Sequence, residues 1–548
     1  MRLLLSTAIL FSLYFTGLTW GQSSTADAYY ASESPVAKTN LLANIGPSGS
    51  KSQGAKAGIV IASPSTTNPN YLFTWTRDSA LVFKVIIDQF TLGLDTSLRS
   101  QIDNYVGAQK ILQQVSNPSG SINGPALRAT ALITWANYLN SHGNASYVTG
   151  TLWPIIKLDL DYVASSWDQS TFDLWEEVSS SSFFTTAVQH RALREGARLA
   201  SAIGQSSSSY TTQANNLLCF LQSYWNTAGF VRANTGGGRS GKDANTVLAS
   251  IHTFDSTAGC DAATFQPCSD KALANLKTYA DAFRSIYSIN SGIPSNQGIA
   301  TGRYPEDVYF GGNPWYLTTL AVAEQLYDAL IIWKRQNSLQ VTSISQPFFS
   351  TFVPGIATGT YSSSTSTFTT LTTAIKNFAD SFVAVVAKYT PSGGGLAEQY
   401  SRSNGVPTSA VDLTWSYAAL LTSDMARNSI VPASWGAAGL TVPTSCQGSG
   451  GGGAISFTFN VHAETVFGEN IFVTGNLNEL ANWSPDNAIA LNANNYPTWS
   501  VTINLPASTT FQYKYIRKFN GVTTWESDPN RQVTTPTSGS FVENDTWR

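Results

Sequence analysis

Charge is scarce in this chain. Asp, Glu, Lys and Arg together make up 12% of its 548 residues, and 34 acidic side chains nearly cancel 31 basic ones to leave a net charge of −3. No run of Lys or Arg occurs, so the electrostatic footprint of a nucleic-acid or anionic-membrane partner is missing and a neutral partner fits better. Histidine is equally thin: His142, His190, His252 and His462 are scattered and no C-x-x-C occurs, so neither metal nor cofactor is expected. Beyond residue 18 no segment is apolar enough to span a membrane. The one apolar run, Leu3 to Leu18 behind Arg2, is broken by Ser6, Thr7, Ser12 and Thr16 and falls short of the ~20 residues a span needs. It has the shape of a secretory signal with cleavage near Gly21, so residues 1–21 are expected to be removed and the mature chain to be secreted, extracellular and monomeric, with no membrane partner.

In an exported chain the four cysteines Cys219, Cys260, Cys268 and Cys446 are expected in disulfides. Three pairings can be drawn. Cys260 and Cys268 flank a short loop that they could close locally, which would leave Cys219 for Cys446. Asn144, Asn482 and Asn544 each begin an Asn-x-Ser/Thr glycan acceptor.

Aromatic residues are abundant instead: 15 Trp, 23 Tyr and 27 Phe. The length suggests two to four domains. Segments 81–90, 126–135, 184–193 and 316–333 place apolar residues at i, i+3, i+4 and i+7, which predicts helices over most of residues 22–445. Periodicity alone does not distinguish a ring of paired helices from another all-α fold. The composition shifts to Gly and Ser at 446–454, a flexible linker. Beyond it, 455–461, 470–475, 499–505 and 511–516 alternate apolar and polar residues, predicting a small β-sandwich over 455–548.

Against this background of few acids, two stretches set a carboxylate beside an aromatic ring: Phe172-Asp-Leu-Trp-Glu-Glu177 and Gly395-Leu-Ala-Glu-Gln-Tyr400. Glycoside hydrolysis needs an acid to protonate the leaving oxygen, a second carboxylate to activate water or attack, and aromatic faces to hold the ring. The two stretches lie more than two hundred residues apart, so only the fold can join them. Together with Tyr71-Leu-Phe-Thr-Trp-Thr-Arg-Asp-Ser79, Arg239-Ser-Gly-Lys-Asp-Ala-Asn245, Gly302-Arg-Tyr-Pro-Glu-Asp307, Gly312-Asn-Pro-Trp315 and Asp412-Leu-Thr-Trp-Ser-Tyr417, they resemble, in this order, the motifs of fungal glucoamylase, an inverting glycoside hydrolase of family 15.

The resemblance implies a mostly α fold, an (α/α)6 barrel of six inner and six outer helices, that releases β-D-glucose from non-reducing ends of starch and malto-oligosaccharides. Glu176 matches the general acid, whose pKa must be raised to hold a proton. Glu398 matches the general base, which must stay ionised, with Ser409 donating a hydrogen bond that lowers its pKa. Arg77 and Asp78 match the pair that binds sugar hydroxyls in the first subsite, Glu177 and Arg303 match further substrate-binding positions, and Tyr71, Trp75, Trp175, Trp315 and Trp415 match pocket walls.

The chain departs from the pattern at one place. Relatives carry a long loop between the motifs that end here at Gly120 and begin at Gly124, and it supplies a tryptophan over the acid; only Ser121-Ile-Asn123 remains. Its loss should admit water and weaken the desolvation that raises the acid's pKa. Two outcomes follow for function: the family's reaction with reduced turnover, or a starch-binding protein with weak or lost hydrolase activity. A third keeps catalysis on another glucan.

The C-terminal segments 467–475, 481–483, 511–515 and 525–531 are similar to a starch-binding module of carbohydrate-binding family 20. The resemblance implies that Trp483, Trp525, Lys514 and Asn530 form its first site and that Tyr496 and Trp499 fall at the second, where Phe467 replaces the usual tyrosine. Exposed rings of this kind stack on the apolar face of a glucan.

Overall fold

The computed structural model describes residues 16–115, 123–443, 455–505, 509–536 and 539–548, and places the chain in two compact units that divide between Val442 and Pro443. The shortened segment at Gly120–Asn123 falls, apart from Asn123, outside the described residues, as do the Gly/Ser linker, Cys446 and the first fifteen residues of the expected signal.

Among the described residues the first unit contains twelve helices of nine residues or more. They are α1 (Thr16–Ala43), α2 (Thr76–Thr91), α3 (Arg99–Leu112), α4 (Asn123–Ser141), α5 (Trp153–Ser166), α6 (Phe183–Ala202), α7 (Ser208–Leu221), α8 (Ala244–His252), α9 (Asp270–Asp281), α10 (Tyr316–Arg335), α11 (Ser366–Tyr389) and α12 (Thr414–Arg427). The even-numbered helices close a ring: α2 packs on α4, α4 on α6, α6 on α8, α8 on α10, α10 on α12, and α12 back on α2. The odd-numbered helices lie outside, α3 against α2, α5 against α4 and α6, α9 against α8, and α11 against α10 and α1. This is the (α/α)6 barrel.

The alternation explains the sequence pattern. An inner helix is covered by the ring on one side and by the outer layer on the other, so it is buried all round; in α10 every residue from Tyr316 to Trp333 is buried. Outer helices such as α9 and α11 keep a polar face and begin with ordinary caps, Ser269 accepting from Ala272 N at 3.2 Å and Thr365 from Phe368 N at 3.2 Å.

All six inner helices start at the same mouth. Asn123 at the start of α4 donates to Thr185 in α6 at 3.4 Å, Ser182 before α6 accepts from Asn245 in α8 at 3.1 Å, and Ala244 N donates to Arg303 O at 2.8 Å. Gly124 lets α4 approach α2, since a β-carbon there would press within 3.0 Å of Thr76. The positive ends of six helix dipoles therefore face this mouth, where the first-turn carboxylate of Asp78 sits.

Cys260 and Cys268 form the expected local disulfide, and Cys219 is also disulfide-bonded. After α12 the chain is tied back by Asp255, whose Oδ2 accepts from Trp435 N (3.1 Å), Gly436 N (2.9 Å), Ala437 N (2.9 Å) and Ser434 Oγ (2.8 Å).

Among its described residues the second unit is a sandwich of nine strands: β1 (Ile455–His462), β2 (Asn470–Gly475), β3 (Ile489–Ala490), β4 (Asn492–Asn495), β5 (Thr498–Leu505), β6 (Thr510–Phe519), β7 (Val522–Trp525), β8 (Arg531–Thr534) and β9 (Ser540–Thr546). One sheet has the order β4-β5-β1-β9, with β9 parallel to β1; the other has β7-β6-β2-β3, with β8 also pairing β6. Phe457, Phe459, Phe511, Tyr513 and Tyr515 fill the space between them.

The carboxyl of Asp255 is pushed up by burial, but its backbone and hydroxyl donors outweigh that and hold it down at about 2. Its stabilising contribution is therefore complete above the ordinary Asp value and is lost as pH falls through about 2. Asp255→Asn should lower unfolding stability at pH 7 by roughly 2–3 kcal/mol in denaturant titration, with the difference shrinking toward pH 2.

Candidate active site

The sequence motifs converge on the loops at the N-terminal mouth of the ring. Trp75 immediately precedes α2, and Arg77 and Asp78 form its first turn. Trp315 precedes α10 and Trp415 opens α12. Glu176 and Glu177 lie in the loop between the paired segments Thr171–Phe172 and Ser179–Ser180. Glu398 precedes the short pair Gln399–Tyr400 and Pro407–Thr408, and Gln399 bridges to Trp315.

Two charged assemblies meet in this mouth. In the first, Arg77 Nη1 donates to Glu176 Oε1 at 2.9 Å while its Nη2 lies 3.2 Å from Asp78 Oδ2, and the guanidinium stands 5.8 Å from the Trp415 ring centre. Burial raises the Asp78 carboxyl, and Arg77 only partly offsets it. In the second, Arg303, 3% exposed, grips Asp307 with two bonds of 2.6 and 2.8 Å and reaches Glu177 Oε1 at 2.9 Å. Glu177 Oε2 also accepts from Arg239 Nη2 (2.7 Å) and Tyr304 OH (2.5 Å). Burial pushes the Glu177 carboxyl up, but Arg303, Tyr304 and Arg239 outweigh it and hold it below its usual value.

Aromatic rings join the two. Trp175 lies 5.6 Å from Trp315 and 6.4 Å from Trp415 between ring centres, and its indole donates to Asp243 Oδ1 at 2.8 Å. Arg303 stacks 5.4 Å from both Trp175 and Trp315. Tyr71 packs edge-on to Trp75 at 5.4 Å and shares a 2.6 Å hydrogen bond with the Tyr309 hydroxyl. Trp315 and Trp415 are buried, whereas Trp75 and Trp175 are half-buried.

The two catalytic candidates differ sharply in environment. Glu398 is 1% exposed and accepts from the Ser409 hydroxyl and from Gln399 Nε2 at 3.2 Å. Burial pushes its carboxyl up to about 7 against the lowering effects of Ser409, Tyr71 and Arg303. The expected hydrogen bond from Ser409 is present and lowers the Glu398 pKa, but a dry site costs a carboxylate more than these donors return. The Glu176 side chain is 34% exposed. Glu176 (φ 61°) and Ser409 (φ 65°) both hold left-handed backbone, uncommon for residues with a side chain and concentrated at functional sites.

Sequence reasoning missed Asp307, Tyr304, Arg239 and Tyr309. The first two stand in the same motif as Arg303; Arg239 lies in a quoted motif without a role; Tyr309 left no signal.

In the second unit Trp483 and Trp525 come together, ring centres 6.5 Å apart, with Trp525 38% exposed. Asn530 is exposed and donates to Gln512 at 3.0 Å. Lys514 is buried and committed to Asp528 Oδ1 at 2.5 Å and Glu526 O at 3.3 Å, so it braces the site instead of presenting a free ammonium. Trp499 is corrected as an open platform: it is 5% exposed, packs in the sandwich core and donates to Ala463 O at 3.1 Å. The exposed rings of the second cluster are Tyr496 and Phe467, the former bonded to Thr465 N at 3.2 Å.

Comparison with known proteins supports both units. The model of the family described as glycosyl hydrolases family 15 matches residues 35–124 and 122–424, two segments that meet inside the shortened join, and the starch binding domain model matches 454–545. The chain is 61% identical over 576 aligned positions to Glucoamylase-1 of Schizophyllum commune, covering 100% of both. Those 576 positions against 548 residues leave at least 28 without a counterpart here. It is 45% identical to a glucoamylase of Neurospora crassa, covering 95% of this chain and 94% of that one. Among solved structures, a glycoside hydrolase family 15 glucoamylase from Hypocrea jecorina superposes with a TM-score of 0.75 at 46% identity, covering 95% of this chain and 100% of that one.

Because Glu398 carries a raised pKa in the fold, its contribution to stability is complete below the unfolded value near 4.5 and is lost as pH rises through about 7. Glu398→Gln, which carries no charge, should melt above the natural protein at pH 8, by up to about 3 kcal/mol in unfolding free energy, with the gap closing at pH 4.

Proposed function

This chain belongs to glycosyl hydrolases family 15, and from that premise we propose how its residues divide the work of degrading starch. The protein is a glucan 1,4-alpha-glucosidase, an exo-acting hydrolase of starch and malto-oligosaccharides. In the proposed cycle Arg77 and Asp78 hold hydroxyls of the terminal glucose, a task that suits a fork of donors beside an acceptor. Glu176 gives its proton to the glycosidic oxygen as the bond to C1 breaks. Glu398 takes a proton from a water that attacks C1 from the opposite face, so one molecule of water is added and β-glucose leaves. For Glu176 to deliver a proton its carboxyl must be free of Arg77, and a sugar hydroxyl accepting from Arg77 provides that release. Glu177, clamped by Arg303 and Arg239, is left to accept from hydroxyls of the next glucose.

The observation that supports this most is the union of the separate motifs in one network, from Glu176 through Arg77, Trp415 and Trp175 to Arg303, with Tyr71 beside Glu398. A second reading, a starch-binding protein with weak or lost hydrolysis, is favoured by the broken family match at 122–124 and the exposure of Glu176. We assign residues 1–21 to a secretory signal, 22–445 to the catalytic domain, 446–454 to a linker and 455–548 to a domain that holds starch through Trp483 and Trp525, the chain acting outside the cell as a monomer.

Glu176→Gln should abolish glucose release from maltoheptaose while leaving granule binding intact; retained hydrolysis removes Glu176 from the role of acid. Ser409→Ala takes away a donor that lowers the Glu398 pKa, so the acid limb of the kcat/KM profile should move to higher pH by about one unit. An unmoved limb would assign that titration to another group. Trp525→Ala should weaken adsorption to raw starch by about tenfold with little change in kcat on maltoheptaose; equal losses on both would indicate misfolding.

A further inference from the structure

The loop that carries Glu176 is held at two places. Inside it, Asp173 Oδ1 accepts from Glu177 N at 2.9 Å and Val178 N at 3.2 Å, and Asp173 O accepts from Glu176 N at 3.0 Å. These bonds set the backbone of the turn and leave the torsions of the Trp175 side chain to be settled by its surroundings. The ring is reached from another part of the chain. Asp243, the residue that precedes α8, takes the Trp175 indole N–H on Oδ1 at 2.8 Å.

The same oxygen accepts from Asn245 N at 2.8 Å and so caps α8. Capping alone does not account for an aspartate at this position. Asp243 is 2% exposed, and among the described residues no Lys or Arg forms an ion pair with it; Arg239 pairs with Glu177 at 2.7 Å and Asp173 at 3.7 Å instead. Burial pushes the Asp243 carboxyl up to about 7, against the lowering effects of the Asn245 amide and the Trp175 indole. A serine would cap the helix about as well without burying a carboxyl. It is also one bond shorter, and the longer side chain is what meets both the helix start and the indole.

That second bond fixes the orientation of a pocket wall. Nε1 is the one polar atom of the Trp175 side chain, so a hydrogen bond there is directional in a way that ring packing is not. With it in place the ring stands between Trp315 (5.6 Å) and Trp415 (6.4 Å), with the Arg303 guanidinium 5.4 Å from its centre. Glu176 follows directly in the chain, in left-handed backbone (φ 61°) that a turning neighbour would disturb. We propose that Asp243 is a positioning residue for hydrolysis: by holding the Trp175 indole from the start of α8 it fixes this wall and, through the adjoining backbone, the direction in which Glu176 presents its carboxyl. The proposal rests on the reading of Glu176 as the acid.

The test compares two replacements that both cap α8, of which asparagine keeps the reach to the indole and serine does not. In the full chain Asp243→Asn should keep kcat on maltoheptaose within about threefold, while Asp243→Ser should lose about tenfold in kcat with KM little changed. In a Trp175→Phe background, which has no indole N–H to hold, the serine replacement should cause no further loss. A kcat unmoved by Asp243→Ser, or lowered as much in the Trp175→Phe background as in the natural one, would overturn the proposal. Should Asp243→Ser not fold, Asp243→Thr, an equally short cap, is measured in its place. If the natural protein releases no glucose, the catalytic reading fails by itself, and the Trp175 indole N–H resonance, assigned by its absence from Trp175→Phe, decides the positioning. A resonance kept in Asp243→Asn and shifted in the short-capped variant supports it; one unmoved in both contradicts it.

Discussion

A guanidinium buried to 3% exposure must be met by carboxylates, and Arg303 makes that demand at the centre of the mouth. Burial alone would weaken its charge; Asp307 and Glu177 more than compensate and hold it firmly protonated. Asp307 takes Nε and Nη2 of the fork, the same Nη2 reaches Glu177, and the flat faces fit between Trp175, Trp315, Tyr304 and Tyr309. Glu177, the tryptophan wall and Tyr309, which fixes Tyr71 next to Glu398, all take their positions from this one group.

The inner helices make such a pocket affordable in polar groups. Six parallel helices bring their unpaired N-terminal amides and positive dipole ends to one mouth, a setting that tolerates Asp78, Glu176, Glu177 and Glu398 in close quarters.

Much of this was legible in the residues. The apolar windows at 81–90, 126–135, 184–193 and 316–333 fall in α2, α4, α6 and α10, all inner helices, because only a helix buried on both sides carries so dense an apolar pattern. Closure of the ring was not legible from periodicity, since it depends on contacts between helices hundreds of residues apart; the family motifs supplied it. The alternating runs in the second unit gave its strands to within a few residues, yet Trp499 shows the limit of alternation: the same register that exposes one neighbour buries the next, and a tryptophan matched to a binding position proved to be core. The dryness of Glu398 was also invisible, because it arises from Trp315, Tyr71 and the Ala410 backbone closing around it from distant parts of the chain.

The central claim is that Glu176 and Glu398 act on opposite faces of a glycosidic bond despite the short join at residues 120–124. The direct measurement is to incubate the purified protein with maltoheptaose and follow the anomeric protons by NMR in the first minutes. Glucose appearing first as the β anomer is the expected result. Glucose appearing first as the α anomer would contradict inversion, and no glucose from a folded protein that still adsorbs to starch would mean that the chain binds its polymer without cutting it.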